Sequence, residues 1–152
     1  MFGKFELWFV ISMILFLFPL FNRRYKKRYY WFVLILPSLL LASTITFFLK
    51  ESFKILRPCH GLPDCPSGYS FPSGHSTVIF SVVTAILLNE RKKKFLTMFL
   101  ILSAILISTS RIVLNHHTVL DVFAGSVIGF ASSAFINELY VHWKKRSGET
   151  GI

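Results

Sequence analysis

His117 and Asp121 stand four residues apart, the spacing that puts two side chains on one face of a helix. A carboxylate bonded to one imidazole nitrogen fixes the tautomer and leaves the other nitrogen free to attack. A second group with chemistry is Pro72-Ser73-Gly74-His75, between a proline-rich polar loop and an apolar run. Pro72 suits the first turn of a helix, Ser73 can cap it, and Gly74 lets a ligand approach the backbone. Such a helix start offers unpaired N–H groups and a positive dipole end to an anion, and His75 adds a proton carrier near neutral pH. Lys50, Arg57 and Arg111 supply positive charge, the arginines with the fork that matches phosphoryl oxygens. Together these are the parts of in-line phosphoryl transfer: a nucleophile, a general acid and cations for the equatorial oxygens.

Each residue alone has an ordinary reading. His117 and Asp121 suit a helix start with its capping partner, Arg57, Arg111 and Lys50 suit interfacial anchors, and Ser73 and Gly74 suit a simple cap. What changes the weighing is position. The chain has 152 residues, 53% of them hydrophobic and 17 of them phenylalanine. With a mean hydropathy of +0.58 it reads as a membrane protein. The formal charge of +10 does not indicate nucleic acid, because the basic residues sit in clusters between apolar runs, as topology signals do.

Five apolar segments are expected, over about 5–21, 30–49, 73–88, 95–110 and 117–140. The first lacks the flanks of a cleaved signal peptide and is expected to be retained. Pro37 predicts a kink in the second. Pro58, Pro63, Pro66, Pro72, Gly61 and Gly68 break the loop of about 51–71, whose first residues, to about 56, could extend the second helix by a turn or two. Small residues from Ala124 to Ala134, with Gly125 and Gly129 among them, predict close packing of the fifth helix. The basic groups at 23–28, 91–94 and 144–146 place those ends in the cytoplasm, with the N-terminus outside. Lys50, Arg57, Ser73, Gly74, His75, Arg111, His117 and Asp121 then gather at the extracytoplasmic face. Cys59 and Cys65, the two cysteines, share the outward loop, where they are either a disulfide or two free thiols.

These residues resemble the signature of the type 2 phosphatidic acid phosphatase superfamily. Its first motif is matched by Lys50-x6-Arg57-Pro58, its second by Pro72-Ser73-Gly74-His75 and its third by Ser110-Arg111-x5-His117-x3-Asp121. The matches run from Lys50 to Asp121, about half of the chain. The resemblance implies that His117 becomes a phosphohistidine, that Asp121 orients it and that His75 protonates the leaving oxygen. It also implies a phosphate cradle of Lys50, Arg57, Ser73, Gly74 and Arg111. Membrane members commonly have six transmembrane helices, one more than expected here.

The expected fold is therefore all-α: a polytopic membrane bundle of about five helices in one domain over 1–146, followed by a disordered tail at 147–152. The expected activity is metal-independent and cofactor-free hydrolysis of a lipid phosphate, with polyprenyl diphosphates ahead of phosphatidic acid and phosphatidylglycerol phosphate. A lipid phosphotransferase using the same site, and a membrane protein that only holds lipid phosphates, are the alternatives. The sequence sets no oligomeric state.

Overall fold

The computed structural model describes residues 26–89 and 94–147, with side chains described from residue 33 onward. The expected first segment at 5–21, the basic residues 91–93 and the tail beyond Ser147 lie outside the described residues. The chain divides into two compact units, Met1–Val33 and Leu34–Ile152, and every expected site residue belongs to the second.

Among the described residues there are four helices: α1 (Lys26–Phe53), α2 (Gly74–Asn89), α3 (Lys94–Val113) and α4 (Val119–Arg146). They correspond to the second to fifth apolar segments. Leucine, isoleucine and phenylalanine runs with few breakers build them. Val33–Phe53, Lys94–Val113 and Val119–Arg146 are each long and apolar enough to cross a membrane. α2, with 16 residues and a length of about 24 Å at about 1.5 Å per residue, is shorter than these. Phe95 (78% exposed), Val119 (67%) and Phe47 (61%) face outward without a cover of protein, as side chains do on the lipid side of a multi-pass membrane protein.

Pro37 lies inside α1, and one residue on, the Ser38 hydroxyl donates to the Leu34 carbonyl at 2.6 Å. The helix reaches Phe53, a few residues past the expected end, and stops where Lys54 takes a left-handed backbone (φ 48°). The loop that follows is a series of tight turns. His60 N–H donates to Arg57 O, Leu62 N–H to Cys59 O and Cys65 N–H to Leu62 O. Gly61 (φ 90°) and Gly68 (φ 85°) supply backbone angles that other residues avoid. Cys59 and Cys65 are joined, with an S–S distance of 2.08 Å. The loop closes on the cis Phe71–Pro72 bond, with Phe71 edge-on against Phe53.

α2 is the most enclosed helix and packs on both α3 and α4. Its buried face is small and mostly polar: Ser76, Thr77, Ser81, Val83, Thr84 and Ala85. Gly125 and Gly129 of α4 bring the two backbones together there, and Ser133 donates to the Ser81 carbonyl at 2.7 Å. On the other side, Thr46 of α1 donates to Thr77 Oγ1 at 3.1 Å. α3 buries little beyond Ala104 and Ser108. α4 ends with Lys144, Lys145 and Arg146 in its last turn, where cations complement the dipole.

Candidate active site

Two helix starts differ from expectation. α2 opens at Gly74, so Pro72 precedes the first turn instead of sitting in it, and Ser73 holds the residue between. α4 opens at Val119, so His117 is not on the helix at all. The reason is a capping box. Thr118 is the N-cap, its hydroxyl accepts from Asp121 N–H at 3.2 Å, and the Asp121 carboxylate accepts from Thr118 N–H at 2.7 Å. His117 and Asp121 are still neighbours, with Nδ1 and Oδ2 3.7 Å apart, but the loop bend brings them together and not a shared helical face. That bend hangs from one carbonyl: Arg111 O accepts from both His116 N–H (3.1 Å) and His117 N–H (3.2 Å). Asn115 makes the turn possible with a left-handed φ of 57°.

His117 is 3% exposed and Asp121 2%. Arg57 reaches across from the loop and is fixed at several points. Its Nε donates to Gly68 O (3.2 Å), its Nη2 to Ser67 O (3.5 Å) and its Nη1 to His116 O (3.1 Å). The same Nη1 lies 3.0 Å from His117 Nε2. A guanidinium can only donate, so Nε2 is the accepting nitrogen and the proton of the neutral ring is on Nδ1. Burial, then Arg57 and Lys50, push the His117 pKa down to about 4, against the opposing pull of Asp121. The ring is therefore neutral at physiological pH, with its lone pair directed at the arginine. Burial also lowers the Arg57 pKa, which Asp121 opposes.

Lys50, in the last turn of α1, donates to Tyr69 O at 2.7 Å and Ser70 O at 3.3 Å. Lys50, Arg57, Gly74, His75 and His117 line one cavity of about 630 Å³, within the range of small-molecule sites. Its other walls include Ser43, Phe47, Val78 and Ile107, so the charged end passes into an apolar one between helices. Ser73, Arg111 and Asp121 are not on the cavity wall. Ser73 is fully buried: its N–H donates to Asp121 O at 2.9 Å and its hydroxyl accepts from Ser76 at 3.2 Å. The N–H groups of Gly74, His75 and Ser76 are the ones that helix geometry leaves without an intrahelical acceptor. Arg111 Nε is buried with no hydrogen-bond partner.

Ser70 enters the site unannounced by the sequence. Its hydroxyl donates to Asp121 Oδ2 at 2.5 Å and lies 3.4 Å from His117 Nδ1. A lone serine in a turn-rich loop carries no motif that marks it. The Thr118–Asp121 pair was findable, because Thr-x-x-Asp before an apolar run has the form of a capping box.

With this geometry in view, the comparison with known proteins is decisive at the level of family. The profile of the PAP2 superfamily matches residues 31–145. The chain belongs to that superfamily. It is 34% identical over 77 residues to an undecaprenyl-diphosphatase of Sulfolobus acidocaldarius, a match covering 51% of this chain and 36% of the relative. The matched part is thus little more than a third of that protein's length. Among solved structures, Aquifex aeolicus LpxE superposes with a TM-score of 0.65 at 28% identity, over 86% of this chain and 77% of that one. A transmembrane PAP2 type phosphatidylglycerolphosphate phosphatase from Bacillus subtilis shares the fold, with a TM-score of 0.65 at 23% identity, over 93% of this chain and 71% of that one.

Proposed function

We propose that the chain is an integral-membrane lipid phosphatase that acts on polyprenyl diphosphates through a phosphohistidine at His117. The observation that carries this is the buried, neutral His117, which lines a cavity shared with Arg57, Lys50 and His75. In the reaction, Nε2 attacks the terminal phosphorus and the bond from that phosphorus to the bridging oxygen breaks. His75 gives its proton to the departing lipid monophosphate. Water then attacks the phosphorus as His75, now neutral, takes its proton; the P–N bond breaks, its electron pair returns to Nε2, and inorganic phosphate leaves. Arg57 must release Nε2 before attack, and its guanidinium then pairs with the phosphoryl oxygens that displace it. Gly74 contributes its backbone to the same charge, Arg111 adds its positive charge from behind the cavity wall, and Ser73 supports the turn from behind. Asp121 holds the imidazole.

The apolar end of the cavity suits a lipid tail, and the undecaprenyl-diphosphatase relative favours a polyprenyl diphosphate over phosphatidic acid or phosphatidylglycerol phosphate. One domain over 1–146, about five spans, an outward site and a cytoplasmic C-terminus complete the reading. Phosphate release from each of the three lipids in detergent tests it. Release is fastest from the prenyl diphosphate and is abolished in His117→Ala. No release from any lipid by a folded protein refutes hydrolysis, and label from the diphosphate appearing on a second lipid shows phosphotransfer instead.

A further inference from the structure

We propose that Ser70 is a positioning residue for His117, the link through which the Asp121 carboxylate holds the imidazole. This rests on the reading of His117 as the nucleophile. The direct Nδ1–Oδ2 separation of 3.7 Å is too long for a hydrogen bond, whereas Ser70 Oγ stands between the two at 3.4 Å from Nδ1 and 2.5 Å from Oδ2. A hydroxyl has one proton and two lone pairs. Here the proton goes to the carboxylate, so a lone pair is left for the Nδ1–H that Arg57 imposes on the ring. Of the other groups that act on His117, Lys50 and Arg57 can only donate, and the remaining acceptor is the carbonyl of Ser70 itself, so both acceptors for the ring proton belong to this one residue. Oδ2 already receives Thr118 N–H at 2.7 Å, so the carboxylate is well occupied without the histidine.

The backbone of Ser70 is held as firmly as its side chain. Its N–H donates to Ile55 O at 2.7 Å and its carbonyl accepts from Lys50 Nζ at 3.3 Å. With no exposed surface, the hydroxyl has nowhere else to turn. The residue thus joins three groups of the site: the cation at the end of α1, the imidazole in the loop before α4, and the carboxylate in its first turn.

Two measurements test the proposal. In the first, the full chain in detergent micelles carries histidine labelled with heavy nitrogen. The His117 Nδ1 proton is expected downfield in the wild type. In Ser70→Ala it moves upfield and exchanges faster with water, while His60, His75, His116 and His142 keep their signals. If Ser70 only props up Asp121, the His117 signals stay in place and the proposal is overturned. In the second, phosphate release from farnesyl diphosphate is followed. Ser70→Ala lowers kcat by about 100-fold with KM little changed, the loss that follows when a reacting group is misplaced by about 1 Å. In an Asp121→Asn background the same substitution costs less than about threefold, because the link then has nothing to transmit. Equal losses in both backgrounds overturn it. Ser70→Cys, nearly the same size but a poor hydrogen-bonding group, carries both measurements with the same signs if the alanine variant does not fold. A wild type that releases no phosphate removes the phosphatase reading, yet the imidazole signals still decide whether Ser70 holds the ring.

Discussion

Adding one methyl group at Gly129 or Gly125 separates the packing of the helices from the chemistry of the site. A β-carbon at Gly129 would overlap the Thr77 carbonyl oxygen and lie 2.8 Å from the Ser81 nitrogen and 3.2 Å from Phe80 Cβ. At Gly125 it would overlap the Ser73 carbonyl oxygen, 3.1 Å from Thr77 Oγ1 and 3.2 Å from Ser76 Cβ. Backbone atoms cannot rotate away as a side-chain tip can, so α2 and α4 must move apart. Overpacking against backbone atoms lies at the upper end of the usual range, roughly 2–3 kcal/mol, and replacing helical glycine by alanine returns about 1 kcal/mol. The net loss of about 1–2 kcal/mol lowers the melting temperature by roughly 2–8 °C in a chain of this size. The two variants part company in activity. Gly129 faces a point one turn inside α2, and Gly129→Ala leaves the turnover of folded protein within a few-fold of wild type. Gly125 meets the carbonyl of Ser73, whose own N–H is bonded to Asp121 O at 2.9 Å. Gly125→Ala pushes that turn off its support and lowers kcat by about 100-fold, the loss that accompanies a misplacement of about 1 Å. Thermal unfolding by circular dichroism and initial rates on the same detergent preparations measure both. A Gly129→Ala protein as stable as wild type, or equal losses of kcat in the two variants, would show that these two contacts do not set the spacing of α2 and α4.

Other outcomes follow from the site itself. Arg57→Lys loses the geometry that reaches Gly68 O, Ser67 O, His116 O and His117 Nε2 at once, and kcat/KM for phosphate release falls by about 100-fold or more although the charge is kept. Because the His117 pKa lies near 4 in the folded protein and near 6.5 in an unfolded chain, its reactive neutral form persists to about pH 4. The acid limb that His117 imposes on kcat/KM therefore falls near pH 4, and a limb at its ordinary value would contradict the geometry. The same depression means that the unfolded chain takes up the proton first, so this contribution to stability declines as pH falls from about 6.5 to about 4, a trend that melting temperature against pH measures. Replacing Cys59 and Cys65 by serine releases a loop with a sequence separation of 6 and lowers stability by about 2 kcal/mol, read as a lower melting temperature that reductant no longer affects.

The gathering of Lys50, Arg57, Gly74, His75 and His117 around one cavity was legible because alternating helices bring every second connection to the same side. Which atoms the protein already uses for itself was not. Ser73 looked like an open phosphate donor, yet its N–H is bonded to Asp121 O and its hydroxyl to Ser76. Those bonds join positions nearly fifty apart in sequence or depend on a single rotamer, and no local pattern encodes either. His117 was expected on a helix by its spacing from Asp121, but Thr118 is the better cap and starts the helix after it. Ser70 had no spacing to offer at all. Its role exists only once the loop has folded back against α4.

The polar character of α2 ties these observations together. A central helix whose buried face is Ser76, Thr77, Ser81 and Thr84 gains little from removing apolar surface from water, and in lipid no such gain exists between helices. What holds it is close approach and hydrogen bonding, and Gly125 and Gly129 are what permit the approach. The first of these contacts falls on the Ser73 carbonyl, at the very turn that presents Gly74 and His75 to the cavity. One residue row along α4 thus carries Asp121, which faces His117, then Gly125, which seats the opposite turn, and Gly129, which fixes the distance between the two helices. The stability of the bundle and the placing of Gly74 and His75 on the cavity wall depend on the same interface, so a change that loosens α2 against α4 near Gly125 must disturb both.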